Sequence, residues 1–308
     1  MVNLNLKLPE HFLDQEVRDG YTISSKMKEA WAVELDLLNE FMRVCEKNNI
    51  KWYADAGTIL GAARHKGMIP WDDDIDVMMF REEYDKLLAV ADKEFTHPYF
   101  LQTDQNSKAA CRGHVQLRNS QTTGIITSEV GLKLQFNQGI FLDIFPIDSI
   151  PNDEAALQKQ IAEVSLYKQK IRRIKSLTYS YKFKWRRNIV KLAYHFLLSL
   201  YYRAINKVKI IASLDKAREK SAQAYNGQQT KRVAKLCLTP IKERRIWQRE
   251  WFDQTKYLQF EMFSLPVPGD YEALLDRFYG DWRKFVVGTA SHGEIFFDTD
   301  KSYTEYVK

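Results

Sequence analysis

The run Asp72-Asp73-Asp74-Ile75-Asp76 leads without a break into Val77-Met78-Met79-Phe80, and no other stretch constrains the chain as much. Alternate residues of an extended chain point to the same side, so Asp72, Asp74 and Asp76 are expected on one face at the mouth of an apolar strand. Three carboxylates so placed repel unless a cation neutralises them. Oxygen-only ligands favour a hard ion, so magnesium is expected, with manganese as the alternative. The strand anchors the cluster in a core and supplies the rigidity a catalytic metal site needs. A solvated acidic loop would not alternate into an apolar strand. An EF-hand loop would take Asp72, Asp74 and Asp76 as its first ligands and Glu83 as its twelfth residue, but it needs Gly where this chain has Val77. The Asp-x-Asp of a sugar-nucleotide glycosyltransferase stays open.

Two further features stand with the cluster. Gly57-Thr58 lies 17 positions before Asp74, after an expected strand, Lys51 to Ala54, and before an expected helix, Ile59 to Lys66. A Gly there lets backbone N–H groups approach phosphate, and a helix N-terminus favours the negative charge. Asp143 sits inside the apolar strand Gly139 to Phe145, where a lone carboxylate is costly unless paired or metal-bound. It is the natural third acid. A Gly-Thr turn, a two-carboxylate strand and a later one-carboxylate strand together resemble the nucleotidyltransferase fold, in which such acids hold magnesium against nucleotide phosphates.

The remaining pattern is α+β. Trp31, Leu35, Leu38, Met42 and Cys45 recur at helical spacing between Ser24 and Asn48. Glu82 to Phe95 is a second amphipathic helix. Tyr99 to Thr103, His114 to Arg118 and Thr123 to Thr127 are strand candidates, and Pro146 and Pro151 are expected to close the Asp143 strand. From Asp153 to Tyr225 the pattern is helical, with neither Gly nor Pro. Tyr271 to Tyr279 is a last helix. The expected layout is a nucleotidyltransferase-like core over 20–150 (a small mixed sheet with flanking helices), a basic helical subdomain over 151–262, and a C-terminal segment over 263–308 that packs back on the core.

Charge separates these parts. Residues 155–260 hold 25 Lys and Arg against 6 Asp and Glu, a net +19, while the rest is −13, for +6 overall. The middle region therefore faces something anionic. From Arg187 a polar stripe of Lys191, His195, Ser199, Arg203 and Lys207 runs beside Ile189, Leu192, Phe196, Leu197, Leu200, Tyr201, Ile205 and Val208. Tyr179, Tyr181, Phe183 and Trp185 precede it. Such a helix suits the interface of an anionic membrane, and it equally suits the core of a helical subdomain with a basic outer face. No nucleic-acid-binding motif is present, and no nucleic acid is expected. The 3 cysteines show no disulfide or zinc spacing, and the first residues carry no signal-peptide pattern. A cytoplasmic protein, peripheral at the inner face of the membrane if the basic helix docks there, is expected.

Read in full, the segments Ala56-Gly57-Thr58-Ile59-Leu60-Gly61-Ala62-Ala63-Arg64-His65-Lys66-Gly67-Met68-Ile69-Pro70-Trp71-Asp72-Asp73-Asp74-Ile75-Asp76-Val77 and Gly139-Ile140-Phe141-Leu142-Asp143-Ile144-Phe145-Pro146-Ile147-Asp148 resemble the signature of the LicD family. A weaker echo runs from Pro268 to Leu275 and from Tyr279 to Trp282. The resemblance covers about residues 50 to 150, with the echo reaching Trp282, and fukutin and fukutin-related protein are distant relatives of the family. It implies a magnesium-dependent phosphotransferase. The donor would be CDP-choline or another CDP-linked alcohol. The acceptor would be a hydroxyl of a cell-surface glycan precursor, such as lipopolysaccharide or teichoic acid, lipid-linked where the membrane reading holds, and CMP would be released. By the same resemblance Asp72, Asp74, Asp76 and Asp143 form the metal set, and Asp74, Asp76 and Asp143 are catalytic. Gly57 and Thr58 hold donor phosphate. Arg64, Lys66 and Arg118 are candidate phosphate clamps by residue type. His65 and His114 are left as structural residues, and His292 is a candidate to reach the site from the C-terminal region. Two alternatives remain: a nucleotidyltransferase that uses a nucleoside triphosphate and releases pyrophosphate, and the glycosyltransferase.

Overall fold

A computed structural model describes residues 1–107, 112–129, 136–178, 189–205, 207–238, 240–288 and 293–307. His292, the aromatic run from Tyr179 to Trp185 and Arg187 lie outside the described residues, as do the side chains of Lys191, His195, Ser199, Arg203 and Lys207. The described elements are strands β1 (Glu16–Arg18) and β2 (Tyr21–Ile23), helix α1 (Ser25–Lys47), β3 (Tyr53–Ala54), α2 (Ala56–Arg64), β4 (Asp76–Phe80), α3 (Arg81–Glu94), β5 (Tyr99–Gln102), β6 (Val115–Asn119), β7 (Thr123–Ile126), β8 (Phe141–Ile150), α4 (Glu154–Thr178), α5 (Ile189–Ala204), α6 (Lys207–Ala222), β9 (Arg232–Ala234), β10 (Ile246–Gln248), β11 (Thr255–Phe260), β12 (Phe263–Pro268), α7 (Tyr271–Tyr279) and β13 (Ile295–Asp298).

Among the described residues a seven-stranded mixed sheet organises the fold, with the order β10-β9-β8-β4-β3 and with β6 and β5 continuing from the other end of β8. Strand β8 is its axis. One edge pairs in parallel with β4, and the opposite edge pairs with β6 as far as Ile144 and with β9 from Asp148. Pro146 does not end this strand, contrary to the sequence expectation. It falls in the gap between the β6 and β9 pairings, where no ladder hydrogen bond is lost on that side. The strand stops before Pro151 instead.

Helix α1 starts at Ser24, whose hydroxyl accepts from the Met27 N–H. Its apolar positions are wider than one stripe: Trp31, Leu35, Leu38 and Phe41 are fully buried, and so are Ala32, Val33 and Leu37. It is a central helix packed into the main core. Helix α3 is tied to β8 by Arg81, whose Nε and Nη2 donate to the two Asp148 oxygens at 2.8 and 3.0 Å, with both residues buried.

The basic region is not purely helical. Helices α4, α5 and α6 lie together, but β9 and β10, which follow them, extend the central sheet. The β11–β12 hairpin packs on α2 and β3, and β13 pairs with β7, so later chain segments close over the core. Among the described residues, no helix is long and apolar enough to cross a membrane.

Candidate active site

Register brings the acids together. In the parallel β4–β8 pair, Asp76 stands opposite Asp143, and in the antiparallel β6–β8 pair Gln116 stands opposite Asp143. Asp74, Asp76 and Asp143 each offer a carboxylate oxygen within 4.8 Å of the others, and Asp72, Asp73 and Asp74 form a second such group. The strand itself begins only at Asp76. The preceding acids are not regularly extended, so Asp73, which strict alternation would turn away, joins the cluster.

The backbone around Asp76 is pinned. Its N–H donates to Thr58 Oγ1 at 2.8 Å, and its carbonyl accepts from the Asp55 N–H at 3.0 Å. Thr58 is buried, so its described hydroxyl contact is to the protein's own strand. Gly57 is not in a loop before the helix but in the first turn of α2. A Cβ built there would lie 2.2 Å from an Asp72 carboxylate oxygen. The missing side chain at Gly57 therefore makes room for Asp72 at the positive end of the helix.

Each acid has a distinct environment. Burial, then the neighbouring Asp74, Asp143 and Asp55, push the Asp76 carboxyl well above the usual range. Its Oδ1 is buried and has no hydrogen-bond partner. Burial alone would also raise Asp143, but His114 and the bonds it receives hold it below the ordinary value. His114 Nε2 lies 3.2 Å from Asp143 Oδ1, and Gln116 Nε2 donates to the same oxygen at 2.6 Å. Glu34 on α1, 1% exposed, is pushed well up by burial and then by Asp74, Asp73, Asp72 and Asp76, and its Oε2 lacks a partner. An orphaned buried oxygen among crowded carboxylates, with oxygen donors only, fits a hard divalent cation.

The three cations named from the sequence take different places. Arg118 is 1% exposed. Its guanidinium donates to Gln102 Oε1 at 2.7 Å, to the Gly139 carbonyl at 2.6 Å and to Gln116 Oε1, and burial, then Arg112, pulls its pKa down to about 9. It is not a surface clamp. It orients Gln116, which in turn holds Asp143. Arg64 donates to the carbonyls of Trp282 (3.1 Å) and Lys284 (3.2 Å) and stacks on Phe285, so it ties the C-terminal segment to α2. Lys66 has an exposed side chain, a left-handed backbone (φ 57°) and a carbonyl that accepts from the Glu261 N–H at 2.8 Å.

Sequence reasoning passed over three residues here. His114 was set aside because a lone His carries little signal, yet the β6–β8 pairing lays it on Asp143. Glu34 looked like one more charge on a long helix. Lys235, 1% exposed, bonds Asp55, the residue that caps α2. Its ammonium sits 4.8 Å from the ring centroid of Phe145, 5.6 Å from that of Trp247 and 5.9 Å from that of Phe278. A signal did exist: a lone Lys inside Val233-Ala234-Lys235-Leu236-Cys237-Leu238 is as anomalous as Asp143 in its own strand.

A family model described as LicD/FKTN/FKRP, nucleotidyltransferase domain, matches residues 49–161, which include all the clustered aspartates and exclude Lys235. Over 269 residues the chain is 30% identical to the lipopolysaccharide cholinephosphotransferase LicD of Haemophilus influenzae, a match covering 84% of this chain and 91% of that protein. An uncharacterised protein of Rickettsia prowazekii is 41% identical over 71 residues, covering 23% of this chain and 25% of its own length. One of Rickettsia typhi is 45% identical over 47 residues, 15% of each chain. With a family model over the acid cluster and a relative matched along most of its length, the chain belongs to the LicD family and is a phosphotransferase of that family.

Proposed function

We propose that the chain transfers a phospho-alcohol group, phosphocholine first among them, from a CDP-linked donor to a hydroxyl of a cell-surface glycan precursor, releasing CMP. The observation that carries the reading is the β4–β8 register, which sets Asp76 beside Asp143 with Asp74 within 4.8 Å. The relative named as a lipopolysaccharide cholinephosphotransferase supports the choice of group and of acceptor class.

The acceptor oxygen attacks the phosphorus on the alcohol side of the donor pyrophosphate. The new O–P bond forms as the bond to the CMP oxygen breaks, and that oxygen keeps the electron pair. Positioning and charge neutralisation supply most of the acceleration in such reactions. Asp143 takes the acceptor proton, and His114 at 3.2 Å orients its carboxylate. Asp74, Asp76 and Asp143, with Asp72, would hold magnesium or manganese, which neutralises pyrophosphate charge. Gly57 and Thr58 at the start of α2 serve this site by placing Asp72 and the Asp76 backbone.

The acceptor is drawn from a membrane-linked pool. In support, α5 leaves Tyr194, Phe196, Leu197, Leu200 and Tyr201 exposed, within the region of net +19. That combination suits peripheral contact with an anionic leaflet on the inner face of the membrane.

Thermal stability with magnesium and each of CDP-choline, CTP and UDP-glucose tests the reading, because a ligand that binds only the folded state raises the midpoint by mass action. A magnesium-dependent rise with CDP-choline that is lost in Asp74→Ala is expected. A rise with CTP or UDP-glucose alone would replace this reading with the nucleotidyltransferase or the glycosyltransferase.

A further inference from the structure

Between the core and the basic region lies a polar cavity of about 190 Å³. Its walls come from separated parts of the chain. Asp92 belongs to α3, Asp104 follows β5, and His114 directly precedes β6, while Asp215, Arg218 and Glu219 belong to α6. Asp215 and Glu219 stand four residues apart, so the helix turns them to one side. They are two of the 6 acids in residues 155–260, a region with 25 Lys and Arg. The most basic part of the chain therefore presents carboxylates to the core at this place.

The cavity is built from held groups. The Asp104 carboxylate accepts from the backbone N–H groups of Arg112 at 2.9 Å and Gly113 at 3.0 Å. Arg218 Nε donates to Asp215 Oδ1 at 2.7 Å, and both residues are buried. Gly113 makes room for that guanidinium: its φ is 84°, and a Cβ there would lie 3.1 Å from Arg218 Nη1. Glu219 accepts from Arg81 at 3.2 Å. His114, with a side chain only 10% exposed, sets its Nε2 3.2 Å from Asp143 and leaves its Nδ1 buried without a hydrogen-bond partner. A ring that donates from Nε2 to a carboxylate keeps an acceptor lone pair on Nδ1.

Acceptors outnumber donors here. Among the described lining residues, four carboxylates meet one guanidinium. Burial, then Asp215, raises the Asp104 carboxyl, and Arg218 pulls it the other way. A single metal ion does not answer this excess, because among the described residues the carboxylate groups close enough to share one ion are both in the acid cluster. A primary ammonium does answer it, with three N–H donors and no acceptor. The volume is below the ~300–1,000 Å³ of drug-sized sites, so the ammonium is carried on one small ring or a short chain.

We propose that this cavity binds a primary ammonium compound, held by Asp104 and Asp215 and separated from Asp143 by the His114 ring. Two sources supply such a group: an amino sugar and a free small diamine. An amino sugar would belong to the acceptor, an assignment that rests on the phosphotransfer reading. The ammonium site itself does not depend on that reading.

Calorimetric titration of the full chain in excess magnesium, with glucosamine, putrescine, glucose and glucose 6-phosphate, tests it. At least one amine is expected to bind, and the tighter of the two names the source. Glucose lacks the ammonium and glucose 6-phosphate adds an anion, so both should bind at least about ten-fold more weakly. Asp104→Asn and Asp215→Asn should each weaken the amine about 10- to 100-fold, the loss of one charge-assisted hydrogen bond. Asp92 is exposed on α3, so Asp92→Asn keeps the fold even where the buried variants do not, and it should weaken the amine about 2- to 5-fold. Asp74→Ala should leave amine binding unchanged. Glucose binding as tightly as glucosamine, or neither amine binding, overturns the site. So does amine binding that is lost in Asp74→Ala and kept in Asp92→Asn, which would place the ammonium at the acid cluster.

Discussion

Replacing Gly57 with Ala should damage catalysis without unfolding the protein. A Cβ at this position would come within 2.2 Å of the Asp72 carboxylate oxygen, and ordinary contact begins at 3.4 Å. The oxygen must therefore recede by about 1.2 Å, and a misplacement of ~1 Å at a reacting centre costs on the order of 10²-fold in rate. The nearest atom belongs to a side-chain end rather than to backbone, so the carboxylate moves and the helix stays. Two stability effects oppose each other. Ala in a helix is favoured over Gly by roughly 0.5–1 kcal/mol, and an Asp forced off its rotamer loses about 0.5–1.5 kcal/mol. The net lies within ~1 kcal/mol, which is at most about 4 °C in Tm for a chain of this size. The measurements are kcat/KM for phosphocholine transfer and Tm by circular dichroism, with and without magnesium. Near-normal kcat/KM would refute the placement of Asp72 in the working cluster. A fall in Tm of ten degrees or more would show that the backbone, not the carboxylate, absorbs the contact.

Lys235→Met strands the Asp55 carboxylate in an apolar box, and breaking a buried pair in this way costs ~3–5 kcal/mol. The Lys235→Met/Asp55→Asn double variant should recover part of that loss in urea unfolding, and no recovery would separate the two residues energetically. Asp76 and Glu34 are both raised above their ordinary values of 3.8 and 4.5, so the folded state keeps protons that the unfolded chain releases. In EDTA the stability should therefore fall as pH rises above this range, whereas magnesium should raise Tm more at pH 8 than at pH 5. The lowered Asp143 contributes stability that is fully present above 3.8 and is lost as pH falls below it. Equal pH profiles in EDTA and in magnesium would contradict the cation site. The exposed apolar side chains of α5 predict co-sedimentation with anionic vesicles at low salt and release at high salt, and Leu197→Glu with Tyr201→Glu should abolish it. Unchanged sedimentation of that variant would remove α5 as the contact.

Much of the candidate site was legible in order along the chain. The acid run and the lone Asp143 announced themselves because a carboxylate beside or inside an apolar strand has few cheap explanations. The helices α1 and α3 followed from apolar spacing, and α7 was expected over Tyr271 to Tyr279. Less legible were short strands such as β9 and β10, whose three residues carry too little periodicity to stand out beside the helical pattern that precedes them. Arg118 shows a second limit. Its residue type suits a phosphate clamp, but nothing local indicates that Gln102, Gly139 and Gln116 surround it.

By itself the sequence determined the chemistry on offer: a crowd of carboxylates, a phosphotransferase signature, and a basic helical region with an amphipathic stretch. Those are properties of residue type and local period, and both are written along the chain. Only the tertiary structure decided which groups act together. The pairing of Asp76 with Asp143, the hold of Arg118 through Gln116, the Lys235–Asp55 contact and the meeting of Asp104 and Asp215 at one cavity each join segments far apart in sequence. Strand register and desolvation are set by the whole packed core, and a one-residue slip of β8 against β4 would turn Asp143 to the opposite face of the sheet.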